Sequence, residues 1–234
     1  MTGNVIGKFL GRLRAGARLS KRASPEKRYY GLNELDRKLE PHIDFDNGVF
    51  VEAGANDGET QSNTAYFARH RGWRGLLVEP IPELAARCRI ARPESLVENC
   101  ALVAHADDGQ SVPMTFCGLM SVVDGGWNDT EAERTHVETG RQMQSLNTYH
   151  VDVPGRSLSV LLDRHKMTRI DLLSLDVEGF ERQALEGLDF GRHRPRFILV
   201  EARFRDEIDA ILLAHYEIVA QLSHHDVLYG IKAD

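Results

Sequence analysis

The chain has 234 residues, 42% hydrophobic, 27% charged and 7% aromatic, with a net charge of −6. That is ample for one domain with a sizeable core plus an extension, and too apolar for a disordered chain. Three cysteines (Cys88, Cys100, Cys117) make an odd number with no CxxC pair, which argues against a disulfide framework or a cysteine-rich zinc site and fits a reducing cytoplasm. No apolar run of about 18 residues is present to span a bilayer.

Charge is unevenly placed. Residues 1–28 carry eight basic side chains against one acid, a net +7 that leaves −13 on the remainder. An acidic body repels phosphates, so nucleic acid is not an expected partner. Within the basic segment Val5, Ile6, Phe9, Leu10, Leu13 and Ala17 form one helical stripe, the pattern of an amphipathic helix in peripheral contact with anionic membrane. Four glycines in the first sixteen residues point instead to a solvated arm, or to one packed on the domain or on a second subunit. The composition is equally compatible with an organellar transit peptide.

The expected domain occupies residues 29–234. A short helix over Leu32–Leu39 ends at Pro41, and strands and helices then alternate. Strand Val49–Ala53 precedes helix Glu59–Arg71, strand Leu76–Glu79 precedes helix Pro82–Ala91, and strand Ser95–Asn99 follows. After residues 118–150, read as a substrate-loop or lid insert with a polar helix over Glu131–Gln144, the alternation resumes. It runs through helix Ser157–His165, strand Ile170–Asp176, helix Gly179–Glu186, strand Phe197–Ala202 and helix Asp206–Ala214. Two extended runs, Tyr216–Gln221 and Val227–Ile231, close the chain as an antiparallel pair. Short, nearly continuous apolar strands separated by helices predict a doubly wound parallel sheet with its ligand at the carboxyl ends of the strands.

The chemistry-bearing residues fall at those ends. The first strand runs into Glu52-Ala-Gly-Ala-Asn-Asp-Gly58, whose glycines allow a sharp turn and close ligand approach. It is not the dinucleotide fingerprint, because Asn56 and Glu59 stand where GxGxxG wants glycine and a small residue. Acidic residues suit a ligand with a cationic centre and hydroxyls, such as S-adenosylmethionine. The second strand ends at Glu79-Pro80, where a carboxylate can accept both ribose hydroxyls, and the fourth at Asp176-Val-Glu178.

These motifs resemble a known family. Gly31-Leu-Asn-Glu-Leu, Phe50-Val-Glu-Ala-Gly-Ala-Asn-Asp-Gly58, Gln61-Ser-Asn-Thr64, Trp73-Arg-Gly-Leu-Leu-Val-Glu-Pro80 and Leu175-Asp-Val-Glu-Gly179 look like the FkbM-type S-adenosylmethionine-dependent methyltransferases over roughly residues 30–232. The resemblance implies a class I, Rossmann-like α/β fold: a seven-stranded, mostly parallel sheet with helices on both faces and an antiparallel terminal strand pair. It also implies methyl transfer, usually to oxygen, in glycan or natural-product biosynthesis. Carried over by position, Glu52, Gly54, Asn56, Asp57 and Gly58 surround the cofactor's methionine part, and Ala55, Ser62, Asn63 and Pro80 count among the cofactor-binding residues. Glu79 takes the ribose, and Asn99, Cys100, Ala101 and Leu102 border the adenine.

Methyl transfer from a sulfonium is an in-line displacement, so the protein must align the partners and remove the acceptor's proton. Asp176 is the expected base, with Glu178 beside it. A divalent ion held by Asp176 and Glu201 stays open as an alternative. Met120 and Ser121 are candidates for the acceptor pocket, Trp73 for packing, Trp127 for sugar stacking, and Arg203 and Arg205 for an anionic acceptor. His224 and His225 read as a solvated turn, and the other histidines singled out, His105, His136, His150, His165, His193 and His215, as surface groups. The leading expectation is a sugar O-methyltransferase; a polyketide or peptide O-methyltransferase and a non-catalytic cofactor-binding module are the alternatives.

Overall fold

The computed structural model describes residues 29–232. The basic segment 1–28, with its amphipathic stripe, lies outside them. In chain order the elements are α1 (Leu35–Leu39), β1 (Val49–Ala53), α2 (Ala65–His70), β2 (Arg74–Val78), α3 (Pro82–Ala91), β3 (Leu96–Glu98), β4 (Ala101–Leu102), β5 (Ser111–Phe116), β6 (Val122–Val123), α4 (Thr130–Gln144), β7 (Tyr149–Arg156), α5 (Leu158–Arg164), β8 (Leu172–Leu175), α6 (Glu181–Glu186), β9 (Phe197–Glu201), α7 (Arg205–Leu212), β10 (Tyr216–Gln221) and β11 (Asp226–Ile231).

Seven strands form one sheet in the order β10-β11-β9-β8-β1-β2-β3. The five from β9 to β3 are parallel, and β11 and β10 add antiparallel at one edge. This is the mostly parallel sheet with an antiparallel terminal pair that the resemblance implies. Strand order reverses between β1 and β8, which opens a crevice at their carboxyl ends.

Alternation along each strand divides the core. Val51, Leu76, Leu173 and Ile198 face one way, packed with Leu158, Leu161 and Leu212. Phe50, Leu77, Leu172 and Leu199 face the other way, packed with Leu39, Phe67 and Trp73. Trp73 is the packing residue expected, seated against Phe45 and Phe67 and donating Nε1–H to the Phe45 carbonyl.

Two features differ from the sequence reading. The first helix after β1 starts at Ala65 rather than Glu59. Side chains capture the intervening backbone first: Asp57 accepts from the Glu59 and Thr60 amides, and Glu52 accepts from Ser62 Oγ, the Asn63 amide and Thr64 Oγ1. The second difference is a four-stranded sheet in the order β4-β7-β5-β6, which brackets and enters the insert. Pro113 and Pro154 lie inside β5 and β7 and mask both runs as strands. The small sheet packs Ala101, Val103, Val112, Met114 and Val153 into a satellite core. The polar helix expected over Glu131–Gln144 is present as α4, capped by the Asp129 carboxylate on the Glu131 and Ala132 amides.

Candidate functional site

A cleft of about 820 Å³, counting its open mouth, lies at the carboxyl ends of β1, β2 and β8. Its floor is the turn after β1. Gly54 has φ +78°, and a Cβ there would stand 1.8 Å from the Asp176 carbonyl oxygen, so only glycine lets the turn pass this close to the end of β8. The Gly54 and Ala55 amides donate to the Val78 carbonyl, tying the turn to β2.

Glu79 follows β2 and is 4% exposed. Its two carboxylate oxygens accept the amides of Asn56 and Ile81, each at 2.8 Å. Burial pushes its pKa up, against those two hydrogen bonds, to about 7. Asn99 sits behind it and donates Nδ2–H to the Glu79 and Pro80 carbonyls, fixing this corner of the cleft. Next to Glu79 the wall turns apolar through Leu84, Ala101, Leu102 and Met114.

The opposite end holds a group of carboxylates. Asp176, Glu178 and Glu201 each offer an oxygen within 4.8 Å of the others. Asp176 is exposed and opens onto the cleft. Desolvation at the end of β8 and the neighbouring charges of Glu201, Glu178, Glu181 and Asp226 hold its carboxyl well above the usual carboxylate range. Glu201 is pushed up to about 7, first by burial and then by Glu178, with Arg203 pulling the other way. Glu181 is pushed up to about 7 by burial, while its Oε1 accepts the Val177 and Gly179 amides and braces the turn from behind. Glu178 has φ +56° and Gly179 φ +93°, so the chain reverses tightly and presents the Glu178 carboxylate inward.

The insert closes over these carboxylates. Trp127 donates Nε1–H to the Glu178 carbonyl at 2.8 Å, and its ring packs on His136, Phe204 and the Arg203 guanidinium. His136, read from sequence as a surface group, is buried; α4 turns it toward Glu178, with Nε2 3.2 Å from Oε2. His193 is also buried, against Ser159 and Asp163. Arg203 Nη2 lies 3.4 Å from Glu178 and 3.6 Å from Glu201.

Among the residues singled out from sequence, Gly54, Asn56, Glu79, Pro80, Cys100, Ala101, Leu102, Asp176 and Glu178 line the cleft together. Glu52, Ala55, Asp57, Gly58, Ser62, Asn63 and Asn99 are not among the residues that line it. Glu52 in particular spends its carboxylate on Ser62, Asn63 and Thr64, 4.0 Å from the buried Arg92. Ser121 reaches the cleft, whereas Met120 lines a separate groove with Trp127, His136 and Arg203. Thr60, Leu84, Met114 and Phe180 also line the cleft and were not anticipated, and so do Gln61, from the motif Gln61-Ser-Asn-Thr64, and Leu119, from the insert read as a substrate loop. Of the four not anticipated, Met114 carried a signal, the alternation Val112, Met114 that Pro113 obscures.

No curated protein matches the sequence. Two solved structures share a similar outline. One is a TehB-like SAM-dependent methyltransferase from Corynebacterium glutamicum, at 11% identity and TM-score 0.44, covering 85% of this chain and 88% of that one. The other is the fibrillarin pre-rRNA processing protein of Methanococcus jannaschii, at 12% identity and TM-score 0.43, covering 80% and 67%. The model of the methyltransferase FkbM domain matches residues 52–228, from the floor of the cleft to the last strand. With this match over most of its length, the chain belongs to the FkbM methyltransferase family.

Proposed function

We propose that the protein is an S-adenosylmethionine-dependent O-methyltransferase acting on a sugar hydroxyl in glycan biosynthesis. The observation that carries this reading is the division of one cleft into two ends, Glu79 beside an apolar wall and Asp176 with Glu178 across from it. The donor set fits the cofactor: Glu79 is acceptor-only when ionised and suits two ribose hydroxyls, and Leu84, Ala101 and Leu102 suit a flat base. The negative charge gathered at the far end as a whole suits a cofactor that carries a sulfonium and an ammonium. When bound, S-adenosylmethionine supplies an electrophilic methyl carbon.

Everything else falls to the chain. The Gly54 turn and Glu79 orient the donor, so the reaction becomes one of alignment. Asp176 sits at the strand end between donor and insert, where its carboxylate can receive the acceptor's hydroxyl proton. The groove of Met120, Trp127, His136 and Arg203 approaches the same carboxylates from the insert, and it supplies polar edges and an aromatic face of the kind that holds sugars. Free, buried thiols at Cys88, Cys100 and Cys117 accord with a cytoplasmic setting, and among the described residues no helix is long and apolar enough to cross a membrane.

Calorimetry with S-adenosylmethionine and S-adenosylhomocysteine, followed by mass analysis of glycan acceptors, tests the proposal. Cofactor binding with a 14-dalton gain on a sugar hydroxyl supports it; the same gain on a polyketide or peptide alone overturns the acceptor class. Asp176→Asn should lower turnover by about 100-fold or more while cofactor affinity stays within a few-fold. Full turnover in that variant removes Asp176 as the base.

A further inference from the structure

Four polar groups converge at the insert end of the cleft with too few partners for their number. Asp176, Glu178 and Glu201 place one oxygen each within 4.8 Å of one another. Glu201 Oε2 is buried and accepts no hydrogen bond. The His136 side chain is only 6% exposed, and its Nε2 points at the cluster, 3.2 Å from Glu178 Oε2, without forming a hydrogen bond. A buried imidazole nitrogen normally finds a partner, so one left without a hydrogen bond beside Glu178, at the edge of the carboxylate cluster, is an unfilled ligand position.

The spacing matches a coordination shell. Neighbouring ligands of an octahedral ion bound at about 2.1 Å stand about 3 Å apart and opposite ones about 4.2 Å. The 3.2 Å between His136 and Glu178 is one such edge, and the three carboxylate oxygens fall within a slightly expanded version of the same shell. Arg203 is the resident countercharge, but at 3.4 and 3.6 Å it makes loose contacts, and its own Nε is buried without a partner.

We propose that Asp176, Glu178 and Glu201 form a divalent-cation site that His136, now against Glu178 at its edge, completes by moving onto the ion; three hard oxygens and one imidazole nitrogen suit an ion of the Mn²⁺ class. The site stands on these ligands alone; its use rests on the methyltransferase reading. There the ion binds the acceptor's oxygen and eases loss of its proton, which passes to the Asp176 oxygen left off the metal. His136 lies on α4, so ion binding also draws the insert onto β8 and β9 and closes the acceptor side of the cleft.

The full chain, freed of metal by chelation and dialysis, is titrated with Mn²⁺ alone and followed by electron paramagnetic resonance of the free ion. One ion per chain is expected, with affinity reduced at least tenfold in Glu201→Gln and in His136→Ala. Tb³⁺ in place of Mn²⁺ should give emission excited through tryptophan, since Trp127 is hydrogen-bonded to the Glu178 backbone. Circular dichroism and S-adenosylmethionine calorimetry in chelator, run on the same variants, report whether each is folded. No Mn²⁺ uptake, or uptake unchanged in both folded variants, overturns the site. Should S-adenosylmethionine bind while Mn²⁺ does not, the cation site fails and the methyltransferase assignment stands; the converse result leaves the cation site and removes the cofactor.

Discussion

Replacing Glu79 by Gln should weaken the cofactor site and, above about pH 7, steady the fold, two effects of opposite sign from one buried carboxylate. Its pKa rises from 4.5 to about 7 in the native protein because burial outweighs two amide hydrogen bonds. Between those two values the native state keeps a proton that the unfolded chain has released, so stability falls as pH rises through this window and is level above it. The rise from 4.5 to about 7, at about 1.36 kcal/mol per tenfold change in acidity, makes Glu79 about 3 kcal/mol more costly to the fold at pH 8 than at pH 4.5. The Gln variant carries no such charge. It surrenders one of the two amide acceptors, Oε1 for Ile81 or Oε2 for Asn56, at a cost of about 1–2 kcal/mol. Urea unfolding at pH 5 and pH 8 should therefore show a shallower decline in the variant, by up to about 3 kcal/mol. The decline shrinks without vanishing, because Glu181 and Glu201 are also pushed up to about 7. Calorimetry should show S-adenosylmethionine binding weakened by about 1–3 kcal/mol at pH 8, where the ionised carboxylate is the better ribose acceptor. Equal pH slopes in the two proteins, or unchanged cofactor affinity, would refute the account of Glu79.

Three further outcomes are expected. Gly54→Ala puts a methyl group 1.8 Å from the Asp176 carbonyl at φ +78°, which should cost about 3 kcal/mol or more in urea unfolding and abolish cofactor binding; near-native stability would show that the turn yields. Cys88, Cys100 and Cys117 are all pushed up to about 12 by burial, so a thiol reagent at pH 8 should find no fast-reacting group in the native protein; one rapid equivalent contradicts this. Deleting residues 1–28, which hold the net +7, should abolish flotation with anionic vesicles at low salt and leave soluble-acceptor turnover unchanged; flotation by the shortened chain would place the membrane contact elsewhere.

Periodicity made the main sheet legible in the sequence, because β-branched and apolar runs separated by helices have few other ways to bury both faces. The ends of β1, β2 and β8 were legible for the same reason: once strand order is known, Gly54, Glu79 and Asp176 must stand around one crevice. Two things were decided only by tertiary structure. The face a side chain takes depends on a partner distant in sequence. Glu52 turns from the cleft toward Arg92 and the Ser62–Thr64 turn, and His136 turns from solvent toward Glu178. The small sheet depended on pairing between β5 and β7, over thirty residues apart, which outweighs the prolines inside each strand. Local pattern reports which faces are apolar; only the folded chain settles which charges meet, because a carboxylate's partners are chosen by geometry across the whole domain.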